Sequence, residues 1–454
     1  MRRVSRATIA LGRMVLALSC VALGGCASSL AAEAERRGGD TVTQWSLIAD
    51  YYGNGAANWR TLAIMQEAMH DALNAAHAVY ARWSPAADGE PAADGANLEV
   101  AMAAAANEVL TLLHPEHAAE TAAAFASIMA RYPEDASKAA GNSLGRAIGR
   151  EAVERRAHDG YDAVHFFQGH DGAGRWRPVP TLFATSRTND IRPFLFASVS
   201  EVPTQPPLVV GSPPYLQQLD ETRRVGGLRS SERTTEQTTD AYFWAYQTSQ
   251  RGFLNLAVRL LAAHRPPGGV YAEARIMAEL TAALADSAIL IWNAKLKYSY
   301  WRPITALRAQ GDATWSPLVE TPPFPEYPSG HASDCYVGAG VHEAAYPNLA
   351  GPVVYLSSAH MPPLRGDTVP LPPTTYGMGQ HAQTVQTGQT EAPGGSELSF
   401  PSIAAAATNC ANSRVWAGAH LAAANIESER LAGIIVRRAL DATPPAERVS
   451  VQAR

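Results

Sequence analysis

The chain has 454 residues, 46% of them hydrophobic and 17% charged, enough to bury one large core or two and too apolar for a disordered chain. Its formal net charge of −5 excludes an extended nucleic-acid-binding face, so functional cations must be concentrated locally.

The first 25 residues have the layout of an export signal. MRRVSRATIALGR is a positively charged start, and MVLALSCVAL (14–23) is an apolar run too short to span a bilayer. Leu23-Gly24-Gly25-Cys26 follows, a lipobox-like stretch in which Cys26 would carry a lipid anchor. Cleavage further along, near SSLAAEA, is the alternative. Either way the expected location is exported, periplasmic or as a membrane-anchored lipoprotein of a bacterium. No later segment is long and apolar enough to span. Of four cysteines only Cys335 and Cys410 lie beyond this leader, in a compartment that permits disulfides.

Apolar residues at three- and four-residue spacing predict helices over 59–83, 96–115, 117–131 and 136–160, and the many alanines imply close helix–helix approach. From 161 to 235 the clustering of Gly, Pro, Trp and Arg, as in GHDGAGRWRPVPTLF and PTQPPLVVGSPPYL, predicts irregular structure. Helical spacing returns in TTEQTTDAYFWAYQ, GFLNLAVRLLAAHR and the run from Val270 to Trp301. A second irregular stretch covers 361–400, and final helices are expected over 401–423 and 425–440. Strand alternation persists nowhere and no internal repeat is found. The expected class is all-α, with two helical layers.

Three short segments carry chemistry. In KLKYSYWRP, Lys295 and Arg302 stand seven apart, nearly two helical turns, which places both cations on one helical face. Pro303 disfavours α geometry at Arg302, so the helix should stop there. In EYPSGHAS, Ser329 and Gly330 precede a helical run, where free N–H groups attract an anion. Gly330 allows close approach of backbone to a ligand, and His331 can exchange a proton with it. In NSRVWAGAH, Arg414 and His420 are six apart, about 120° around an ideal helix, so the helix must deform near Gly418 or Arg414 must curl round. Each segment alone is ordinary: a turn, cations at a helix C-terminus, a surface Arg with a packed His. Together they supply Lys295, Arg302, Arg414, Ser329 and the Gly330 amide for the oxygens of a tetrahedral anion, one imidazole for its centre and one for proton transfer. His158, His165 and His170, interleaved with Asp159, Asp162 and Asp171, match no metal-ligand spacing and read as a polar loop.

The order K-x6-RP, PSGH, SR-x5-H resembles the vanadium-dependent haloperoxidase and type-2 phosphatidic acid phosphatase superfamily. MHDALNA, AAANEVLTLLHP, GRWRPVP, RTTEQ and TPPFPEYPSGH look like its soluble bacterial haloperoxidase branch. The resemblance covers nearly the whole mature chain. It implies vanadium bonded to His420, with Lys295, Arg302, Ser329, Gly330 and Arg414 holding the vanadate oxygens. His331 would be the acid–base that assists peroxide binding, and Trp292 and Phe324 neighbours of the halide site; both aromatics could equally be core residues. The expected fold is a helical bundle architecture of two packed four-helix bundles with long irregular loops, one domain over 26–454 with the anion site within 285–440. The expected partners are hydrogen peroxide, halide and a small organic acceptor, with no nucleic acid; halide and oligomeric state stay open.

Two departures bear on the chemistry. The phosphatase branch orients its last His with an Asp four residues later, where this chain has Ala424, and Glu427 and Glu429 are off that spacing. Soluble relatives carry an acidic residue after an FWA-like stretch, where this chain has Tyr246. An exported acid phosphatase acting on phosphoesters through a phosphohistidine at His420 is the alternative activity, since phosphate fits the same donors. A silent anion- or metal-binding lipoprotein is a third reading. Cys335 and Cys410 each lie one helical turn from their motif, so converging motifs would bring the thiols together, as a disulfide or as two buried thiols.

Overall fold

The computed structural model describes residues 41–52, 56–86, 90–91, 93–179, 185–246, 249–356 and 397–446. The leader with Cys26, and nearly all of the stretch expected to be irregular over 361–400, lie outside the described residues.

The described residues form thirteen α-helices: α1 (Thr41–Tyr52), α2 (Ala56–Ala76), α3 (Leu98–Leu113), α4 (Ala118–Met129), α5 (Ala136–Arg155), α6 (Pro213–Gly226), α7 (Thr235–Tyr246), α8 (Ser249–Ala263), α9 (Val270–Tyr298), α10 (Pro303–Ala309), α11 (Gly330–Ala345), α12 (Ile403–Trp416) and α13 (Ala422–Leu440). The expectation of an all-α, multi-helix bundle holds. Three details differ from the sequence reading. Helix α6 lies inside the stretch read as irregular; Pro213 and Pro214 open it, pre-set for the first helical turn, where a missing N–H costs nothing. Helix α1 was not anticipated. Two short antiparallel pairs also form: β1 (His165–Phe166) with β2 (Thr185–Ser186), and β3 (Val353–Leu356) with β4 (Glu397–Phe400), Val353 facing Phe400. Pairs of two and four residues are too short to show as alternation.

Alanine and glycine set how closely the N-terminal helices pack. Gly141, Gly145 and Gly149 line one face of α5 against α3. A Cβ at Gly141 would lie 2.6 Å from Asn97 O and one at Gly149 2.6 Å from Ala105 O, and Gly145 faces Ala101 O in the same way. The alanine-rich α3 therefore meets bare backbone. The main core joins α1, α2, α3, α5, α9, α11 and α13 through residues such as Trp45, Leu62, Val109, Leu144, Leu280, Val337 and Leu431. A second cluster gathers Trp244, Phe253, Tyr355, Phe400, Cys335 and Cys410 from α7, α8, β3, β4, α11 and α12. No helix among the described residues is long and apolar enough to cross a membrane.

Helix α9, 29 residues long, packs on α2, α11 and α13 and carries the first functional segment at its end. The irregular segment before α6 is fastened over that end. The buried Asp286 carboxylate accepts the backbone N–H groups of Phe194 (2.7 Å) and Leu195 (2.8 Å). Trp176 N–H donates to Ser299 O and Trp301 N–H to Gly174 O. The GRWRP stretch thus forms part of the wall around the site.

Cys335 of α11 and Cys410 of α12 are disulfide-bonded, with Cα atoms 6.5 Å apart, which resolves the choice between a bridge and two thiols. The bond closes a loop of 75 residues. Replacing both cysteines with Ala should lower the unfolding free energy by about 4 kcal/mol on the chain-entropy estimate. Urea unfolding measures this, and an unchanged midpoint would contradict it.

Candidate active site

Helix α9 ends at Tyr298 because Ser299 takes a left-handed conformation (φ 43°), its N–H closing on Lys295 O. Arg302 is then extended (φ −81°, ψ 155°), as Pro303 requires, and Pro303 opens α10. Lys295 and Arg302 therefore do not share a helical face, as their spacing suggested. They meet instead at the loop of residues 324–328. Lys295 Nζ donates to Pro325 O (2.9 Å), Glu326 O (2.9 Å) and Pro328 O (2.5 Å). Arg302 Nε donates to Phe324 O (2.9 Å) and its Nη1 to Ala419 O (2.9 Å). Both cations lie beside the Phe324 ring, at 5.3 and 5.0 Å, and Trp292 packs on that ring with centroids 4.9 Å apart. Phe167 and Trp176 complete the aromatic cluster.

Ser329 caps α11, as its position before the helical run suggested, and Oγ accepts Ala332 N–H at 3.4 Å. Ser428 Oγ of α13 donates to Ser329 O at 2.7 Å and fixes the cap. A Cβ built at Gly330 meets only the Ile291 methyl, at 3.9 Å, so packing within the chain does not demand glycine there. His331, in the first turn of α11, is partly exposed, yet its Nε2 is buried without a partner, and the ring also hydrogen-bonds the Trp244 backbone.

The third segment deforms where expected. Helix α12 stops at Trp416, Gly418 turns back with φ 73°, and the N–H groups of Ala419 and His420 both donate to Arg414 O, at 3.0 and 3.3 Å. The turn is locked by close approach to the end of α6: a Cβ at Gly418 would lie 2.5 Å from Gly226 O and 2.7 Å from Pro317 Cβ.

Lys295, Arg302 and Arg414 are at most 1% exposed. Burial pushes Arg302 down to about 9 and Arg414 down to about 10, and burial with the field of the two guanidiniums holds Lys295 well below its ordinary value. The two imidazoles feel the same three cations. Burial first, then Arg414, Lys295 and Arg302, keeps His331 neutral; burial first, then Arg302, Lys295, Arg414 and His331, does the same for His420. Arg302 Nη2, Arg414 Nε and Nη1 and His331 Nε2 are all buried without a hydrogen-bond partner. Buried polar atoms without partners are costly, and these surround a region that carries net positive charge. The donor set, with the Gly330 amide in the first turn of α11, fits a tetrahedral oxyanion such as vanadate or phosphate.

One residue escaped the sequence reading. Glu326, 1% exposed, accepts from His420 Nδ1 (3.1 Å) and from Leu421 N–H (3.0 Å) through the same oxygen. Burial raises its carboxyl to about 7, against the pull of Arg302, the Leu421 N–H and Lys295. The acidic partner missing at Ala424 is thus supplied from the loop before Ser329. Glu427 is occupied elsewhere, by Arg430 and by Gln205 N–H. The only local signal was an acid three residues before Ser329, in a contact spanning 94 residues. The side chain of Tyr246 lies outside the described residues. In the polar loop, His165 pairs with Asp190 and Asp159 with Arg60 and Arg156, and no group of three metal-ligating residues occurs among the described residues.

Residues 275–444 match the family model for the VCPO second helical-bundle domain. The vanadium chloroperoxidase of Curvularia inaequalis is 31% identical over a stretch covering 23% of this chain and 22% of that protein. The matched stretch is thus similar to the second helical-bundle domain of vanadium chloroperoxidases. Solved structures share the fold across most of the chain. A bacterial vanadium-dependent iodoperoxidase superposes with a TM-score of 0.63 at 19% identity, covering 88% of this chain and 94% of that one. An apo-type bacterial vanadium-dependent chloroperoxidase gives 0.61 at 15% identity, covering 85% and 92%. The stretch matched by the family model contains all three motif segments and Glu326.

Two outcomes follow for this anion-binding geometry. Orthophosphate or orthovanadate should raise the melting temperature of the apo-protein, by the equivalent of about 2.7 kcal/mol at a hundredfold excess over the dissociation constant, and equal ionic strength of chloride should not. Gly418→Ala should cost roughly 1–3 kcal/mol from overpacking alone and weaken phosphate binding. Calorimetry reads both, and a variant that binds phosphate as well as the wild type would contradict the role given to the turn.

Proposed function

We propose that the chain is a vanadate-dependent haloperoxidase that oxidises halide with hydrogen peroxide to a hypohalous-acid-like halogenating species. The observation that carries this reading is the set of unpartnered buried donors on Arg302 and Arg414, with the unpartnered His331 Nε2, around a neutral His420 imidazole. His420 would bond vanadium through Nε2, which Arg302 Nη1 now approaches at 3.1 Å. Arg302, Arg414, Ser329 Oγ and the Gly330 amide would hold the oxygens. Lys295 would contribute charge, and to touch an oxygen it must release one of its three carbonyls. Vanadate held there supplies a Lewis-acidic centre that activates peroxide toward halide. His331, neutral and with Nε2 unpartnered, is suited to take the proton that peroxide gives up. Phe324 and Trp292 would form the apolar side on which halide arrives, delivering a small organic acceptor's halogen source next to the cations.

The export signal, a lipid on Cys26, the single domain over 26–454 and the arrangement as two four-helix bundles are parts of this same reading.

An acid phosphatase is the second reading, and Glu326 favours it more than the sequence did. A carboxylate on Nδ1 of His420 is what a phosphohistidine mechanism needs, so Ala424 no longer argues against it. The family match supports the haloperoxidase first. Apo-protein supplied with vanadate, peroxide and bromide should halogenate a dye, with phosphate competing. Phosphomonoester turnover without vanadate-dependent oxidation would overturn the proposal in favour of the phosphatase.

His420→Ala should abolish retention of vanadate through gel filtration. His331→Ala should retain it and lower turnover by ~10²–10⁴-fold. Equal loss of vanadate in both variants would contradict this division of roles.

A further inference from the structure

His420 is read from both sides by groups that leave it little choice of tautomer. Arg302 Nη1 lies 3.1 Å from Nε2, and a guanidinium can only donate, so this contact favours a lone pair on Nε2 without fixing it alone. Nδ1 then carries the hydrogen, and it faces Glu326 Oε1 at 3.1 Å. That oxygen is held in place by the Leu421 N–H at 3.0 Å, from the residue next to His420 itself. The backbone of Glu326 is fixed in turn: Lys295 Nζ takes its carbonyl together with those of Pro325 and Pro328, and Glu326 N–H donates to Tyr300 O at 2.9 Å. Carboxylate, imidazole and cation are all within 3% of full burial, so solvent does not scramble the arrangement.

We propose that Glu326 is the positioning residue for His420, setting its Nδ1–H tautomer and ring orientation so that Nε2 is aimed at the anion centre. The role rests on the haloperoxidase reading for what is bound, and on the hydrogen-bond geometry alone for the tautomer. A histidine that ligates through one nitrogen is generally held by an acceptor on the other, and loss of that acceptor costs about 10–100-fold in affinity. In this chain the acceptor comes from the loop ahead of α11 and not from the helix that follows the histidine. Lys295 acquires a second duty: by clamping residues 325–328 it holds the carboxylate in register.

The test uses the full mature protein labelled with 15N-histidine. In anion-free wild type, the nitrogen shifts of His420, assigned by comparison with His420→Ala, should show Nδ1 protonated and Nε2 unprotonated. Glu326→Ala should give a mixture of tautomers and raise the vanadate dissociation constant ~10–100-fold, with the helical circular dichroism unchanged. Glu326→Gln, which keeps volume and an acceptor oxygen, should restore the tautomer. A wild-type Nε2–H tautomer, or wild-type vanadate affinity in Glu326→Ala, would overturn the proposal. If Glu326→Ala does not fold, the wild-type tautomer decides. Failure of the wild type to take up vanadate would overturn the haloperoxidase reading, and the tautomer, measured without any anion, would still decide the role of Glu326.

Discussion

Three cations buried around one region are the constraint on which this structure depends. Taking an ammonium or a guanidinium out of water costs several kcal/mol even after relaxation, and here three are removed together with one carboxylate between them. The chain meets part of this cost with backbone carbonyls: three on Lys295, two on Arg302. It leaves the rest unmet, in the orphaned nitrogens of Arg302 and Arg414. What stays unsatisfied in the free protein is what an oxyanion satisfies, so the cost is also the source of affinity. The surrounding fold must be stable enough to hold such a cluster closed. The large apolar core, the glycine-lined contact of α5 with α3 and the Cys335–Cys410 bridge behind the site all contribute to that.

Each functional group stands at a helix boundary, not on a helix face. Lys295 is in the last turn of α9, Arg302 just before α10, Ser329 and Gly330 at the start of α11, Arg414 near the end of α12 and His420 just ahead of α13. Boundaries free the groups from helical periodicity and bring exposed N–H groups with them. They also require unusual backbone: Ser299 at φ 43° and Gly418 at φ 73° turn the chain where a helix would have carried the side chains apart. A non-glycine residue with positive φ next to a functional cluster is where backbone strain is expected to be kept.

These boundaries explain which parts could be read from the sequence. Ser329-Gly330-His331 was legible because the cap, the glycine and the helix it opens are consecutive. The turn between Arg414 and His420 was legible because six residues on a helix cannot bring two side chains together without a break, and Gly418 supplied one. The Lys295–Arg302 pair was identified for the wrong geometric reason: a seven-residue spacing suggested a shared face, whereas the αL residue at 299 and Pro303 end the helix before Arg302. Glu326 is invisible in the sequence because its meaning lies in a contact across 94 residues, made from ahead of Ser329 and not from the helix after His420. Helix α6 was hidden by the prolines that begin it, since Pro-Pro reads as loop unless the residues after it are followed.

The account stands on all three segments closing on one tetrahedral anion through a single imidazole bond. X-ray absorption at the vanadium edge on vanadate-loaded protein tests this most directly. The account predicts oxygen neighbours and one imidazole nitrogen at bonding distance, the nitrogen contribution vanishing in His420→Ala. A first shell of oxygen alone in the wild type, or a nitrogen signal that survives loss of His420, would contradict it.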